Sequence, residues 1–199
     1  MASFTEKLRR STVGIAGLGG LGSNVAAALA RSGIGKLIIA DFDNVEQSNL
    51  NRQHYFIDQL GKSKVDCMVE NLGRINTGVE VLGRKVALDA NNIPQIFSDA
   101  DCIAECFDTA PAKQMLVETA LVKMPSVKIV SVSGLGGYGK SNEIKTKRVS
   151  PRLVLVGDGL TAIDNYNPGA PGLTAARVGI AAMHQANAII ELLVDEIKP

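Results

Sequence analysis

A chain of 199 residues with 46% hydrophobic side chains and 20 glycines is long enough to bury one substantial core without disulfide or metal staples. Its formal net charge of +1, with cations and anions interspersed, excludes a bulk basic face for nucleic acid and an acidic tail, and its 4% aromatic content with no tryptophan excludes a stacking platform for single strands. Residues 1–10 lack the apolar core of a secretion signal, and Cys67, Cys102 and Cys106 form an odd set, so a reducing cytoplasm is the expected setting. Residues 12–16 are a short apolar run ending in glycines, which predicts a central parallel strand. Residues 21–31 are alanine-rich and predict a helix stopped by Gly33. The uncharged run from Val13 to Ala30 has the length of a membrane span, but its glycines, Ser23 and Asn24 fit a strand, a glycine turn and a buried helix, so no membrane is expected. Residues 36–40 predict the second strand. Val65, Met68, Val69 and Leu72 recur at helical spacing within 62–75, and 79–87 is strand-like. Pro94 sits in the first turn of a short helix over 92–97. A buried strand over 102–107, a helix over 111–123 opened by Pro111 and a strand over 127–132 follow. Beyond Gly134 come a glycine-rich loop at 134–139, two short strands at 143–149 and 153–156 parted by Pro151, and a turn-rich stretch over 158–172. A final helix over 174–195 places Val178, Ala181, Ala182, Ile189, Leu192 and Leu193 on one face. The alternation predicts an α/β fold, a doubly wound and mainly parallel Rossmann-like sheet with a short antiparallel extension and a C-terminal helix. One domain is expected over 1–199, its nucleotide-binding half at about 10–135.

Gly17, Gly19, Gly20 and Gly22 lie at a strand-to-helix turn. There glycine lets backbone approach a phosphate, and the helix start offers unpaired N–H groups and positive potential. Asp41 ends the second strand, where a carboxylate accepts from ribose hydroxyls. This pair alone also suits a nicotinamide dinucleotide. Asn49, Arg52 and Gln53 follow on one short polar segment, at spacings that share a face of a helical turn, and Lys64 begins the next helix. A diphosphate already seated on a helix needs no such cations; the extra charge of a nucleoside triphosphate does. Asp108 ends the strand over 102–107, and its plain structural alternative is to cap the helix that Pro111 opens. His54 and His184 have no partner pattern for a triad or a metal and read as structural.

Taken together, Gly17-x-Gly19-Gly20-Leu21-Gly22-Ser23, Asp41-x-Asp43, Ser48-Asn49-Leu50-Asn51-Arg52-Gln53, Gly61-Lys62-Ser63-Lys64 and Phe107-Asp108 resemble the ubiquitin-activating-enzyme superfamily in its short bacterial ThiF/MoeB form. The resemblance covers about residues 10–135. It implies ATP-dependent adenylylation of the C-terminal glycine of a ubiquitin-like sulfur carrier protein with a Gly-Gly tail, as in thiamine biosynthesis, by a homodimer. In that reading the four glycines, Asp41 and Asp43 cradle the nucleotide, with Asp41 on the ribose. Asn49, Arg52 and Lys64 bind the triphosphate, Gln53 supports their segment and Asp108 holds Mg2+. The attacking carboxylate is already ionised, so catalysis is positioning and charge stabilisation, carried by Arg52, Lys64 and Asp108.

The departures from the family pattern also carry expectations. The Cys-x-x-Cys pairs that hold structural zinc in many relatives are missing, so no zinc is expected. Cys102 and Cys106 fall on one face of a buried strand and read as core. No cysteine follows Cys106 to form a thioester or persulfide. Thr109 stands where relatives usually carry Asn, and only Arg9 and Arg10 are available as an N-terminal arginine for a partner subunit's site. A dehydratase that activates a tRNA-base carboxylate is the alternative within the superfamily, weakened by the neutral charge, so no nucleic acid is expected. An NAD-dependent oxidoreductase leaves Arg52, Lys64 and Asp108 idle. A non-catalytic binding module leaves the whole constellation idle.

Overall fold

A computed structural model of the chain describes residues 2–161 and 172–195. Its first element is one that the apolar pattern does not announce, the helix Phe4–Arg10 (α1). Ser3 caps it, accepting from the Glu6 N–H while the Glu6 carboxylate accepts from the Ser3 N–H. Strand Thr12–Ala16 (β1), helix Gly20–Ser32 (α2), strand Lys36–Asp41 (β2), helix Lys64–Ile75 (α3) and strand Glu80–Lys85 (β3) follow. Next come the single turn Ile93–Ile96 (α4), strand Cys102–Glu105 (β4), helix Ala110–Lys123 (α5) and strand Lys128–Val132 (β5). Strands Lys145–Ser150 (β6) and Leu153–Gly157 (β7) precede the last helix, Ala175–Val194 (α6). Of the turn-rich stretch expected over 158–172, residues 162–171 lie outside the described residues.

The seven strands form one sheet in the order β3-β2-β1-β4-β5-β7-β6. Every neighbouring pair is parallel except β6 and β7. The antiparallel extension is therefore a single edge strand, because β7 continues the parallel set beside β5. Helices α1, α2, α3 and α6 cover one face through Leu8, Val25, Leu29, Met68, Leu72 and Ile189, while α4 and α5 cover the other through Ile93, Leu116 and Ala120. The chain winds outward from β1 to β3 and then returns to lay β4 on the other side of β1. Doubly wound sheets place ligands at such a reversal, at the carboxyl ends of the strands.

The apolar face expected on the last helix is used within the chain: Val178, Ala181, Ala182, Ile189 and Leu192 of α6 are buried in its own core, against α2 and the sheet, and so are not left over for a second subunit. The same helix buries Arg177 and Gln185. Among the described residues no helix is long and apolar enough to cross a membrane.

Candidate functional site

The site begins where β1 ends. Gly17 has φ of +91°, in the left-handed region, and a side chain there would press on the Cys106 carbonyl at the end of β4. At Gly22 a β-carbon would stand 1.9 Å from the Gly17 carbonyl oxygen, so only glycine lets the chain turn into α2 this tightly. The turn thus lies against the crevice between β1 and β4. Gly19 caps α2 without a side chain, which leaves first-turn N–H groups for a bound anion.

Asp41, the last residue of β2, is buried beside this turn. One carboxylate oxygen accepts from the Leu18 N–H at 2.6 Å and the other from the Asp43 N–H at 2.8 Å. The Leu18 carbonyl in turn accepts from the Tyr55 hydroxyl at 2.9 Å. Burial first, and then the nearby Asp41 charge, push the Tyr55 hydroxyl above its ordinary pKa, so it remains a donor.

The polar segment after β2 carries a 3-10 turn, Gln47–Asn49. The N–H groups of Arg52 and Gln53 both donate to the Asn49 carbonyl, at 3.1 and 2.9 Å. Of the three residues expected to share a face, two meet the glycine turn. The Arg52 stem comes within 3.6 Å of the β-carbon position at Gly20, and the Gln53 amide within 3.9 Å of that at Gly19. Asn49 differs: its side chain folds back to accept from the Glu46 N–H and to donate to Ser48. Arg52 Nη1 donates to the Ser48 carbonyl and to Asn51. Arg52 Nε and the Gln53 side-chain oxygen are buried with no hydrogen-bond partner among the described residues. Buried polar atoms without a partner call for an explanation, and at the mouth of a glycine turn a bound ligand is one that supplies it; Arg177 Nε, in the ion pair with Asp158, is a third such atom, away from this turn.

Lys64 starts α3 behind its Ser63 cap, and it is not the surface residue that its charge suggests. It is only 5% exposed, and its ammonium pairs with Asp43 at 2.9 Å. The backbone seconds the pairing, since the Lys64 N–H donates to the Asp43 carbonyl. Asp41, Asp43 and Lys64 therefore form one connected chain leading from the glycine turn.

Asp108 lies past the end of β4, exposed, with no side-chain hydrogen bond or ion pair among the described residues. The capping alternative does not hold, because the cap of α5 is Thr109. Its neighbour Phe107 lies beside Gly17, which places Asp108 at the same edge as the glycine turn. Arg9 and Arg10 sit in α1, ahead of β1 and at the opposite edge of the sheet. The Cys102 and Cys106 thiols are buried as expected, and burial pushes the Cys102 thiol up to about 12. His184 bonds Thr146 at 3.0 Å. His54 meets the Phe56 ring edge-on, and burial followed by the Arg31 charge lowers its pKa.

The sequence reading missed Glu105. This carboxylate is fully buried in β4, where it accepts from the Phe107 N–H at 2.7 Å, from Lys113 at 3.1 Å and from Ser131 at 2.6 Å. The signal was present, since an acid inside an apolar strand must be partnered to be buried.

Comparison with known proteins gives this geometry a context. A family model described as "ThiF family" matches residues 1–198. The adenylyltransferase and sulfurtransferase MOCS3 of Xenopus laevis is 37% identical over 135 residues, which are 67% of this chain and 30% of that protein. The tRNA threonylcarbamoyladenosine dehydratase of Bacillus subtilis is 34% identical over 139 residues, 69% of this chain and 53% of that protein. The chain thus spans between about a third and about a half of the length of these relatives. Among solved structures, the E. coli tRNA N6-threonylcarbamoyladenosine dehydratase in complex with ATP superposes with a TM-score of 0.83 at 20% identity, covering 96% of this chain and 88% of that one. At that identity the likeness shows the shared fold.

Proposed function

The chain belongs to the ThiF family, within the ubiquitin-activating-enzyme superfamily, and on that footing we propose that it adenylylates the C-terminal glycine carboxylate of a small ubiquitin-like sulfur carrier at the expense of ATP, in the cytoplasm, as a step of thiamine biosynthesis. The observation that carries the reading is the pair of unpartnered buried atoms, Arg52 Nε and the Gln53 oxygen, set on a glycine turn backed by Asp41. A dinucleotide would give Arg52 no further phosphate to meet and would leave Lys64 only its structural pairing with Asp43.

In this reading the open N–H groups at the start of α2 take phosphate, and the remaining lone pairs of Asp41 accept from the ribose hydroxyls. Lys64 exchanges Asp43 for the triphosphate, and Arg52 joins it. The carrier carboxylate attacks the α-phosphorus, the bond to the bridging oxygen breaks, and pyrophosphate leaves with its charge offset by both cations. Asn49 shapes this segment through its main chain. Asp108, exposed at the edge of the glycine turn with its carboxylate uncommitted among the described residues, is the residue that would hold Mg2+, an ion that takes one or two carboxylates and completes its shell with phosphate and water. Bound there with ATP, the ion would withdraw charge from the phosphate oxygens. Exposed Phe42, Phe56 and Ile57 on the segment that carries Arg52 suit a protein partner. The homodimer rests on the family resemblance alone.

A second reading, a dehydratase that activates a carboxylate on tRNA, is favoured by Lys145, Lys147 and Arg148, which are exposed together on edge strand β6 although the chain as a whole is nearly neutral. ATP–pyrophosphate exchange separates the two. Exchange that depends on a Gly-Gly carrier is the expected outcome. Exchange that depends on tRNA instead moves the substrate, and exchange with neither removes the adenylylation reading.

A further inference from the structure

Arg52 sits on a segment between β2 and α3 whose helical structure is two 3-10 turns, Gln47–Asn49 and Ile57–Gln59. Contacts from outside the segment hold it over the glycine turn: the Tyr55 hydroxyl reaches the Leu18 carbonyl and Asn71 the His54 carbonyl, and on either side of Gln53 two adjacent side chains in the first turns of α2 do so. Asn24 Nδ2 donates to the Arg52 carbonyl at 3.0 Å and to the Gly20 carbonyl at 2.7 Å. The Ser23 hydroxyl, fully buried, accepts from the His54 N–H at 3.0 Å and donates to the Gly19 carbonyl at 2.6 Å. Each side chain thus bridges the helix start and the arginine segment, and the two clamps fall on either side of Gln53.

We infer that Asn24 is a positioning residue that holds Arg52 for the triphosphate, an inference resting on the phosphate role proposed for Arg52. The chemistry selects the amide. A primary amide nitrogen carries two hydrogens at a fixed angle, so one group reaches two carbonyls at once. The carbonyls it joins are those of Arg52 and of Gly20, the residue against which the Arg52 stem packs. Main chain and side chain of Arg52 are thereby referred to the same helix start that faces the phosphates. Aspartate at this position offers no hydrogen and sets its oxygens against both carbonyls. Leucine has the shape without the donors. A displacement of about 1 Å at a charge aimed at a leaving group is enough to cost much of its effect.

A role in packing alone and a role in positioning differ in what they do to AMP, which has no β- or γ-phosphate for Arg52 to meet. The test is calorimetric titration with Mg-ATP and with AMP on the parent, Asn24→Ala, Arg52→Ala and the double variant. Asn24→Ala is expected to weaken ATP about tenfold, the worth of one to two hydrogen bonds, and AMP less than about twofold. In the Arg52→Ala background it should weaken ATP no further, because residues acting as a unit are not additive. Asn24→Asp should be worse than Asn24→Ala. Equal losses for ATP and AMP, an undiminished loss in the Arg52→Ala background, or parent-like binding by Asn24→Ala would each overturn the inference. Should the alanine variant lose its fold, Asn24→Ser, too short to reach Arg52, enters the same cycle. A parent that binds ATP no better than AMP, or an Arg52→Ala variant that matches it, removes the phosphate reading of Arg52 and this inference with it. That failure is seen before Asn24 is touched.

Discussion

Lys64 shows how a single side chain serves folding and the proposed chemistry in different ways. Its stem is buried and its charge is held by Asp43, whose side chain is 48% exposed. Removing the lysine leaves that carboxylate in reach of water, so the loss of stability comes mainly from packing and amounts to about 1–2 kcal/mol. For a chain of this size that is a fall of roughly 2–8 °C in Tm. Lys64→Ala should show this fall together with a loss of about 10²-fold or more in adenylate formation. Lys64→Met keeps most of the buried stem and no charge, so it should recover the melting temperature and not the activity. A methionine variant that forms adenylate at the parent rate would remove Lys64 from the mechanism. At Asp108 the same separation takes one substitution. Because Thr109 is the cap, Asp108→Asn touches no structural hydrogen bond, and its stability should stay within about 0.5 kcal/mol of the parent. Magnesium-dependent exchange should nevertheless collapse while ATP still binds. Full exchange by Asp108→Asn would leave the metal without a protein ligand.

Among the elements, Glu105 braces the turn that carries Asp108. Its carboxylate ties the Phe107 N–H before that turn to Lys113 beyond it, in the second turn of α5. Lys113 is 23% exposed and Glu105 not at all. Lys113→Ala would therefore strand a charge with only Ser131 and one N–H for partners, and about 3 kcal/mol of stability should go with it, measured by urea unfolding. A loss below about 1 kcal/mol would mean that water reaches Glu105. The brace also marks the limit of what a sequence pattern reveals. The parallel strands and their crossover helices were legible because burial on both faces writes unbroken apolar runs, and because Gly17, Gly33 and Pro111 punctuate them. Periodicity scores Glu105 as a flaw in a strand, since its partners Lys113 and Ser131 are brought near only by folding. Helix α1 escaped for a different reason. It buries one residue, Leu8, and shows no stripe, so its signal is the Ser3 and Glu6 capping box alone. In the site, the glycine turn, Asp41 and Arg52 were legible as types at a spacing. The inward turn of Lys64 and the backward fold of Asn49 depend on Asp43 and Glu46, and no spacing states them.

Across the whole molecule, the last helix is fastened to the loops at the carboxyl edge by a buried ion pair. Arg177 donates to Asp158 at 2.5 Å and to the carbonyls of Gly139 and Lys140, so one guanidinium joins α6, the loop after β5 and the loop after β7. Burial by itself would raise the Asp158 pKa. The N–H groups of Thr161 and Leu160, the Thr161 hydroxyl and Arg177 outweigh it and hold the carboxyl at about 2. The ordinary value for an aspartate, which the unfolded chain would show, is 3.8. The unfolded state therefore binds the proton more readily than the folded one between these values. The stability that Asp158 contributes is complete above about pH 4 and is lost as the pH falls from about 4 toward 2. Other carboxylates titrate in the same range, so the quantity to follow is the difference between the parent and Asp158→Asn. Urea unfolding should find the parent the more stable protein at pH 6, with the gap narrowing steadily between about pH 4 and pH 2.5. A gap that stays constant through that range would mean that Asp158 acts by shape and hydrogen bonding, with no net contribution from its charge. A narrowing gap would make the pair an acid-sensitive fastening of α6, the helix whose buried Val178 packs against Gly20 of the glycine turn.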